Sequence, residues 1–304
     1  MTRIKTTILL ISTAALLLSL PVAILAASSS VTAGAFASYP VSVRGAGMGG
    51  VYAAVVENLG GAYHNPARLG FTDSRSTGIS YADMSGLGLV RNIYLEYVQP
   101  DKGYGAAGLY WNWRGTDVEG PGGEGELGYA ENTVSYGLGK RFGQYFAVGA
   151  ALKGYFISTD IDDAGGKGGA LDLAVFVRPD PWTTVALVVR NAISRVEWDT
   201  GLGDKLPLEI ELGATYLIID GLLGAAELRF EQGHFNSFAL GVEYVLMPEL
   251  ATARGGLTHR FDRTYPSFGL GFTPGAFRID YAAEIDAGGS GLGTTHRLGM
   301  SIDF

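Results

Sequence analysis

Gly45, Gly47 and Gly50 carry the Gly-x-Gly-x-x-Gly spacing that can cradle the pyrophosphate of a dinucleotide. That chemistry needs a strand before the motif, a long helix after it and a βαβ unit around it, whereas the chain that follows reads as antiparallel. Here glycine serves better to let backbone pack closely in a confined space. Asp160, Asp162 and Asp163, with Gly165 and Gly166, approach a calcium loop. Ala164 takes the third ligand position, however, and Leu171 the twelfth, where Glu is required, so a solvated acidic loop is the better reading. His64, His234, His259 and His296 are scattered without metal-ligand spacing, there is no cysteine, and no Gly-x-Ser-x-Gly elbow occurs. The sequence therefore predicts no catalytic residue, no metal and no cofactor: the chain is not expected to be an enzyme.

The remaining candidates are charges and aromatics set at alternate positions of apolar segments. Arg114, Arg141, Lys153, Glu209, Glu211, Glu227, Arg229, Arg278, Glu284 and Arg297 are such charges, together with Glu96, Arg178, Arg190 and Asp280. They either pair across a lumen and hold what fills it, or line a polar pathway. Tyr94, Tyr110, Tyr155 and Phe176 fall on the same inward face. They either line a greasy pocket for a hydrophobic ligand or simply fill space.

What positions these residues is a repeated strand pattern. Leu298, Met300, Ile302 and Phe304 share one face, and Arg297, Gly299, Ser301 and Asp303 the other. Phe238, Leu240, Val242, Tyr244 and Leu246 alternate in the same way with Ala239, Gly241 and Glu243. Period-two segments of about ten residues suffice to cross a bilayer when tilted. Fourteen such segments begin near residues 74, 87, 104, 129, 145, 170, 182, 207, 222, 237, 250, 265, 276 and 294. Every second connection is short and rich in Pro or Gly, as at Gly143-Gln144 and Pro274-Gly275. The others are mostly longer, notably 115–128, 159–169 and 191–206. The expected fold is all-β: a fourteen-stranded antiparallel transmembrane barrel with short periplasmic turns and longer outer loops. Trp111, Trp113 and Trp182 are placed near strand ends, in the interfacial girdles. Leu240→Arg, on the lipid face, is expected to impair insertion far more than Gly241→Arg on the lumen face.

Composition agrees. Glycine, at 46 of 304 residues, has roughly twice its usual share. Charged residues are only 17% and the net charge of −8 leaves no basic footprint, so nucleic acid is not an expected partner. Arg3 and Lys5, the apolar run from Ile8 to Ala26 and the small residues after it read as a signal peptide over 1–27. Cleavage could fall as late as residue 35. Residues 36–73 do not alternate, and they precede the barrel over 74–304.

The run Arg44-Gly45-Ala46-Gly47-Met48-Gly49-Gly50, followed by Ala53, Glu57, Asn58 and Asn65-Pro66-Ala67, resembles the N-terminal hatch of the FadL superfamily. That group contains outer-membrane transporters of long-chain fatty acids and aromatic hydrocarbons. A shorter branch is the PorV/PorQ-like set, some members of which serve type IX protein secretion, and the length of this chain is nearer to that branch. The resemblance implies that residues 36–73 form a hatch of small helices plugging the lumen from the periplasmic side. It also implies a bacterial outer-membrane location with both termini periplasmic. Two functions follow: passage of a hydrophobic small molecule, or a scaffold for a secretion-system protein. The transport reading expects an apolar pocket between hatch and wall, with an opening or kink in a strand; the scaffold reading expects a closed, salt-bridged lumen. Outer-membrane lipid and, through the C-terminal strand ending at Phe304, the barrel-assembly machinery are the further partners expected.

Overall fold

The computed structural model describes residues 39–55, 59–119, 126–161, 164–286 and 293–304. The expected signal peptide, Glu57, Asn58, Asp162 and Asp163 lie outside them. No helix among the described residues is long and apolar enough to cross a membrane.

Fourteen antiparallel strands close into a barrel. They are β1 (Ser76–Met84), β2 (Val90–Gln99), β3 (Ala106–Glu119), β4 (Glu126–Phe142), β5 (Phe146–Thr159), β6 (Gly166–Val177) and β7 (Thr183–Trp198), and, after a two-residue ribbon strand β8 (Gly203–Asp204), β9 (Glu209–Ile219), β10 (Leu222–Glu231), β11 (His234–Met247), β12 (Ala251–Arg260), β13 (Arg263–Phe272), β14 (Phe277–Glu284) and β15 (Thr295–Asp303). Each pairs with its neighbour in sequence, except that β9 pairs with β7 past the ribbon strand. The ladder from Ser76↔Asp303 to Asp83↔His296 joins β1 to β15 and shuts the wall, leaving no free edge.

Alternation decides which face each residue takes. On β11, Leu240, Val242, Tyr244 and Leu246 are exposed on the outer wall, while Ala239 and Glu243 are buried inside. Leu298 and Met300 on β15, and Tyr216 and Ile218 on β9, are exposed likewise. An apolar surface of this extent is stable against hydrocarbon and costly against water. Gly241 does face inward, but a Cβ built there would lie 2.3 Å from the Met48 carbonyl oxygen. Leu240 and Gly241 take the expected faces, and Leu240→Arg and Gly241→Arg are both expected to impair insertion. The first puts a charge into lipid, and the second has no room.

Short turns gather at one end, where Gly143 and Gly221 adopt the positive φ a tight hairpin demands. At the opposite end β10–β11 and β12–β13 also turn in two residues, Gln232-Gly233 and Phe261-Asp262. Three loops are shorter than the sequence suggests. The β3–β4 ladder runs on to Glu119↔Glu126, β6 starts at Gly166, and β7 continues to Trp198 and pairs with the ribbon strand. Hairpins emerging into water keep their ladder while losing the apolar alternation, and the glycines there mimic loop composition. In consequence Trp111 and Trp113 stand in the middle of β3, opposite Val134 and Asn132, and not at a strand end. Trp182 immediately precedes β7.

The hatch fills the lumen with short helices. In α1 (Val43–Gly47), Ser42 Oγ accepts from Gly45 N at 3.2 Å. After α2 (Gly61–His64), a 3₁₀ turn (Pro66–Phe71) begins at a proline, with Asn65 Oδ1 accepting from Ala67 N at 3.0 Å. Phe304 pairs with Arg75 at the short-turn end. Tyr39 and Pro40 instead stand beside Met84, Ser85 and Phe261 at the long-loop end. The described hatch thus runs down the lumen from one mouth to the other.

Candidate functional site

Two sets of alternating charge hold the hatch to the wall. In the first, Glu227 Oε2 accepts from Tyr52 N at 2.7 Å and Ala53 N at 2.6 Å, and Glu227 Oε1 accepts from Arg229 Nη2 at 2.6 Å. Arg229 also donates to Gly50 O at 2.8 Å and lies 5.0 Å over the Tyr52 ring. The set continues around the wall. Arg229 meets Glu211 at 3.5 Å, Glu211 meets Arg190 at 3.0 Å, Arg190 approaches Asp172 at 3.7 Å, and Lys153 meets Asp172 at 2.5 Å. In the second, Arg44 on α1 meets Glu243 at 2.5 Å, Glu243 meets Arg254 at 2.6 Å, and Arg254 meets Asp280 at 2.5 Å. Each charge has an opposite neighbour, the condition under which burial of ions is tolerable.

The other predicted charges are spread along the lumen. Arg114 pairs with Glu131, and its guanidinium lies 5.3 Å over the Tyr39 ring; Arg297 donates to Tyr39 Oη at 3.0 Å. Arg260 pairs with Glu284 at 2.8 Å, and Glu209 stands opposite Arg190 in the β7–β9 ladder. Glu96 accepts from Gly60 N at 2.9 Å and from Tyr94 Oη at 2.8 Å. Arg141 is exposed at the end of β4, where it and Arg178 flank Phe71. Arg278 faces a cavity at the same end. Asp172, Glu131, Glu243 and Arg254 were not among the predicted candidates. Asp172 has the inward parity of Ala170 and Ala174, so the signal for it was present.

The hatch motif divides between packing and capping. Met48 is fully buried, Gly47 lies against Gly269, and Gly49 N donates to Ser267 Oγ at 2.9 Å while its carbonyl accepts from Thr258 Oγ1. A Cβ on Gly45 or Gly50 would strike Tyr52 or Thr258 Oγ1. Asn65 Nδ2 donates to Ala53 O at 2.8 Å, and Pro66 and Ala67 press their backbone onto Gly139 and Gly149 of the wall.

His64 sits at the centre of the hatch. Its Nε2 accepts from Val41 N at 3.1 Å, its ring stacks on Tyr52 at 4.4 Å, and Arg190 donates to its carbonyl oxygen at 3.0 Å. Burial, reinforced by Arg190, Arg229, Lys153 and Arg297, holds its pKa well below the ordinary histidine value. Burial pushes the Tyr52 hydroxyl the other way, to about 12. A histidine depressed on folding stabilises the hatch above the unfolded pKa of about 6.5, and that contribution is lost as pH falls from there toward the folded value. Lowering pH from 7.5 to 5 should therefore raise the accessibility of a Val55→Cys reporter in the hatch, read as the rate of maleimide labelling relative to that of the unfolded chain at the same pH, in a chain that has no other cysteine. His64→Gln, whose amide oxygen can still accept from Val41 N, should flatten this dependence. A slope that survives the substitution would assign it to another group.

Among the described residues, cavities lie inside the barrel at both ends. One of about 740 Å³ opens at the long-loop end, lined by Tyr39, Glu209, Glu211, Arg229, Arg260 and Arg297 among others. At the short-turn end lie one of about 470 Å³, beside Arg44, Val55, Trp182 and Glu243, and one of about 290 Å³, beside Leu59, Phe71, Glu96 and Arg278. All three carry charge, which differs from the apolar pocket expected between hatch and wall. Tyr94, Tyr110, Tyr155 and Phe176 all point inward and are buried, and none of them lines these cavities. The hatch occupies the space they face. Tyr63 meets Tyr94 and Tyr110 edge-on at 5.6 and 6.1 Å, and Phe71 meets Phe176 at 5.3 Å. Tyr155 packs with Ile157, Val196 and Leu206.

At Asn191 the wall is kinked. Asn191 on β7 takes φ +54, its N–H donates to Asp172 Oδ1 at 2.9 Å, and its Nδ2 donates to Pro207 O at 2.9 Å. Opposite it the β6–β7 register slips between Leu171 and Leu173. The β7–β9 ladder stops at Arg190↔Glu209, and beyond that point β7 pairs with the ribbon strand.

No protein-family model matches the chain, and no curated protein matches it in sequence. Solved structures do match in fold. The toluene transporter TodX of Pseudomonas putida has a TM-score of 0.64 at 10% identity, over 89% of this chain and 99% of that one. A Pseudomonas aeruginosa FadL homologue has 0.66 at 13%, over 89% and 100%. The toluene transporter TbuX of Ralstonia pickettii has 0.60 at 15%, over 86% and 96%. At such identities the likeness is one of architecture, and in architecture this chain is a FadL-like barrel.

Proposed function

We propose that this protein is an outer-membrane channel that passes hydrophobic small molecules, with the hatch as its gate. The observation that carries the reading is a closed barrel with a cavity on each side of a plug, the plug being held by discrete ion pairs and backbone hydrogen bonds. A pathway interrupted by one removable element has this form. The apolar outer wall supports a membrane location, and the fold shared with the toluene transporters TodX and TbuX supports a hydrophobic cargo. The strand ending at the exposed Phe304 would be the signal read by the barrel-assembly machinery. In this reading Tyr94, Tyr110 and Phe176 line the path once the hatch shifts, and the kink at Asn191 is the place where the wall can part. The secretion-scaffold alternative draws only on the ion-paired lumen, which a gated channel needs equally.

The test is uptake by cells expressing the full chain. Radiolabelled toluene should enter faster than in cells without it, while a hydrophilic trisaccharide should not. Equal entry of toluene in both would sink the channel reading.

A further inference from the structure

Outside the barrel, at the short-turn end, the wall carries a trough of about 480 Å³. The strand register shows its origin. At one level Leu138, Ala150, Leu173 and Val189 stand side by side across β4–β7, and at the next Lys140, Val148, Val175 and Leu187. Larger pairs bound it, Tyr136 with Leu152 on one side and Phe142 with Phe146 on the other. Ala150 and Val148 are thus the floor of an apolar trough that runs across the strands from β4 to β7 and has a cation, Lys140, at its β4 end.

That end is built. Asp101 Oδ1 accepts from Gly103 N at 2.6 Å and Gly105 N at 2.8 Å, and Asp101 Oδ2 accepts from Lys140 Nζ at 2.7 Å. Lys140 also donates to Gly103 O at 3.0 Å, which leaves its third N–H uncommitted. Lys140 and the turn's backbone N–H groups hold the Asp101 carboxyl at about 2, so its charge persists at any physiological pH. Tyr104, between Gly103 and Gly105, is 99% exposed beside the same mouth, as aromatic residues at the headgroup level are.

We propose that this trough binds one zwitterionic glycerophospholipid of the phosphoethanolamine type from the leaflet at the short-turn end. One acyl chain lies over Val148, Ala150 and Val175. The phosphate accepts from the third N–H of Lys140, and the lipid ammonium donates to Asp101. An adjacent cation and anion match a zwitterion better than they match a net anion, because each protein charge then gains an opposite partner. A second copy of the barrel fits worse, since its apolar wall would cover the Lys140–Asp101 pair and take it out of water unpartnered. The assignment rests on the membrane-embedded reading above, but not on any cargo.

Native mass spectrometry of the full chain in mild detergent, titrated with dioleoyl phosphatidylethanolamine or phosphatidylglycerol, tests it. The first lipid bound should be phosphatidylethanolamine, by about fivefold over phosphatidylglycerol, the worth of one solvent-exposed ion pair. Ala150→Phe should abolish that single tight adduct, whereas Ala226→Phe, on the outer face of β10 and outside the trough, should not. Asp101→Asn, which still accepts from Gly103 N, should erase the preference between headgroups. Heat-modifiable gel mobility checks that each variant is folded. Equal binding by Ala150→Phe, tighter phosphatidylglycerol than phosphatidylethanolamine, or a dimer that Ala150→Phe dissolves would each overturn the proposal. Toluene uptake, measured on the same variants, separates this outcome from failure of the channel reading.

Discussion

Glu227→Ala should release the hatch while leaving the barrel closed. The Glu227 carboxylate is fully buried and accepts at once from Tyr52 N, Ala53 N and Arg229. Alanine removes all three acceptor contacts and leaves two backbone N–H groups and a guanidinium facing an apolar methyl. Breaking a buried pair from one side costs about 3–5 kcal/mol. The wall does not bear that cost, because β10 keeps its ladders to β9 and β11. It falls on the docked state of the hatch, so the undocked population rises by about a hundredfold or more. Labelling of Val55→Cys reports that population directly, and toluene uptake should rise with it. Glu227→Gln separates the contributions: its amide oxygen still accepts from Tyr52 and Ala53, and only the charge pairing with Arg229 is lost. It should fall between wild type and alanine. Labelling unchanged in Glu227→Ala, with heat-modifiable mobility intact, would mean that the hatch is held elsewhere, and the Arg44–Glu243 pair would be the next candidate.

The barrel was legible because period two is a local signal. Leu298 and Met300 on one face and Arg297 and Gly299 on the other state the orientation of β15 without reference to anything else in the chain. Strand ends were less legible, as at β3, where Thr116 and Asp117 continue a ladder with Tyr129 and Gly128 that composition presents as loop. The pairing of the lumen charges was not legible at all. Parity places Glu227 and Arg229 inside, but it cannot say that Glu227 would meet the backbone of residues 52 and 53, some 175 positions earlier. Such partners are fixed by barrel closure and by where the hatch lies. The inward aromatics show the same limit: Tyr94 and Tyr110 face the lumen, and whether they meet a ligand or Tyr63 depends on a segment that carries no alternation.

Gly255 and Gly256 turn that limit into a sharp contrast, because they are neighbours on β12 with identical side chains and opposite surroundings. A Cβ on Gly256 would lie 2.4 Å from Gly49 N and 2.5 Å from the Met48 carbonyl carbon, both backbone atoms that cannot rotate away. A Cβ on Gly255 meets nothing nearer than Ser267 O at 4.0 Å. Gly241, across the ladder from Gly256, presses on the Met48 carbonyl from the next strand, so the wall is bare where α1 ends. Gly256→Ala should then cost about 1–3 kcal/mol by overpacking. The loss should appear as faster Val55→Cys labelling and a lower temperature for conversion of the heat-modifiable band. Gly255→Ala should leave labelling unchanged and raise that temperature slightly, since alanine in a strand saves about 0.5–1 kcal/mol of chain entropy. Gly256→Val should be worse than alanine, its two γ-methyl groups having no exit between Gly49 and Leu240. Equal behaviour of the two alanine variants would mean that α1 does not rest on the wall, and with that the account of the glycine-rich hatch motif as a close-packing surface would fall.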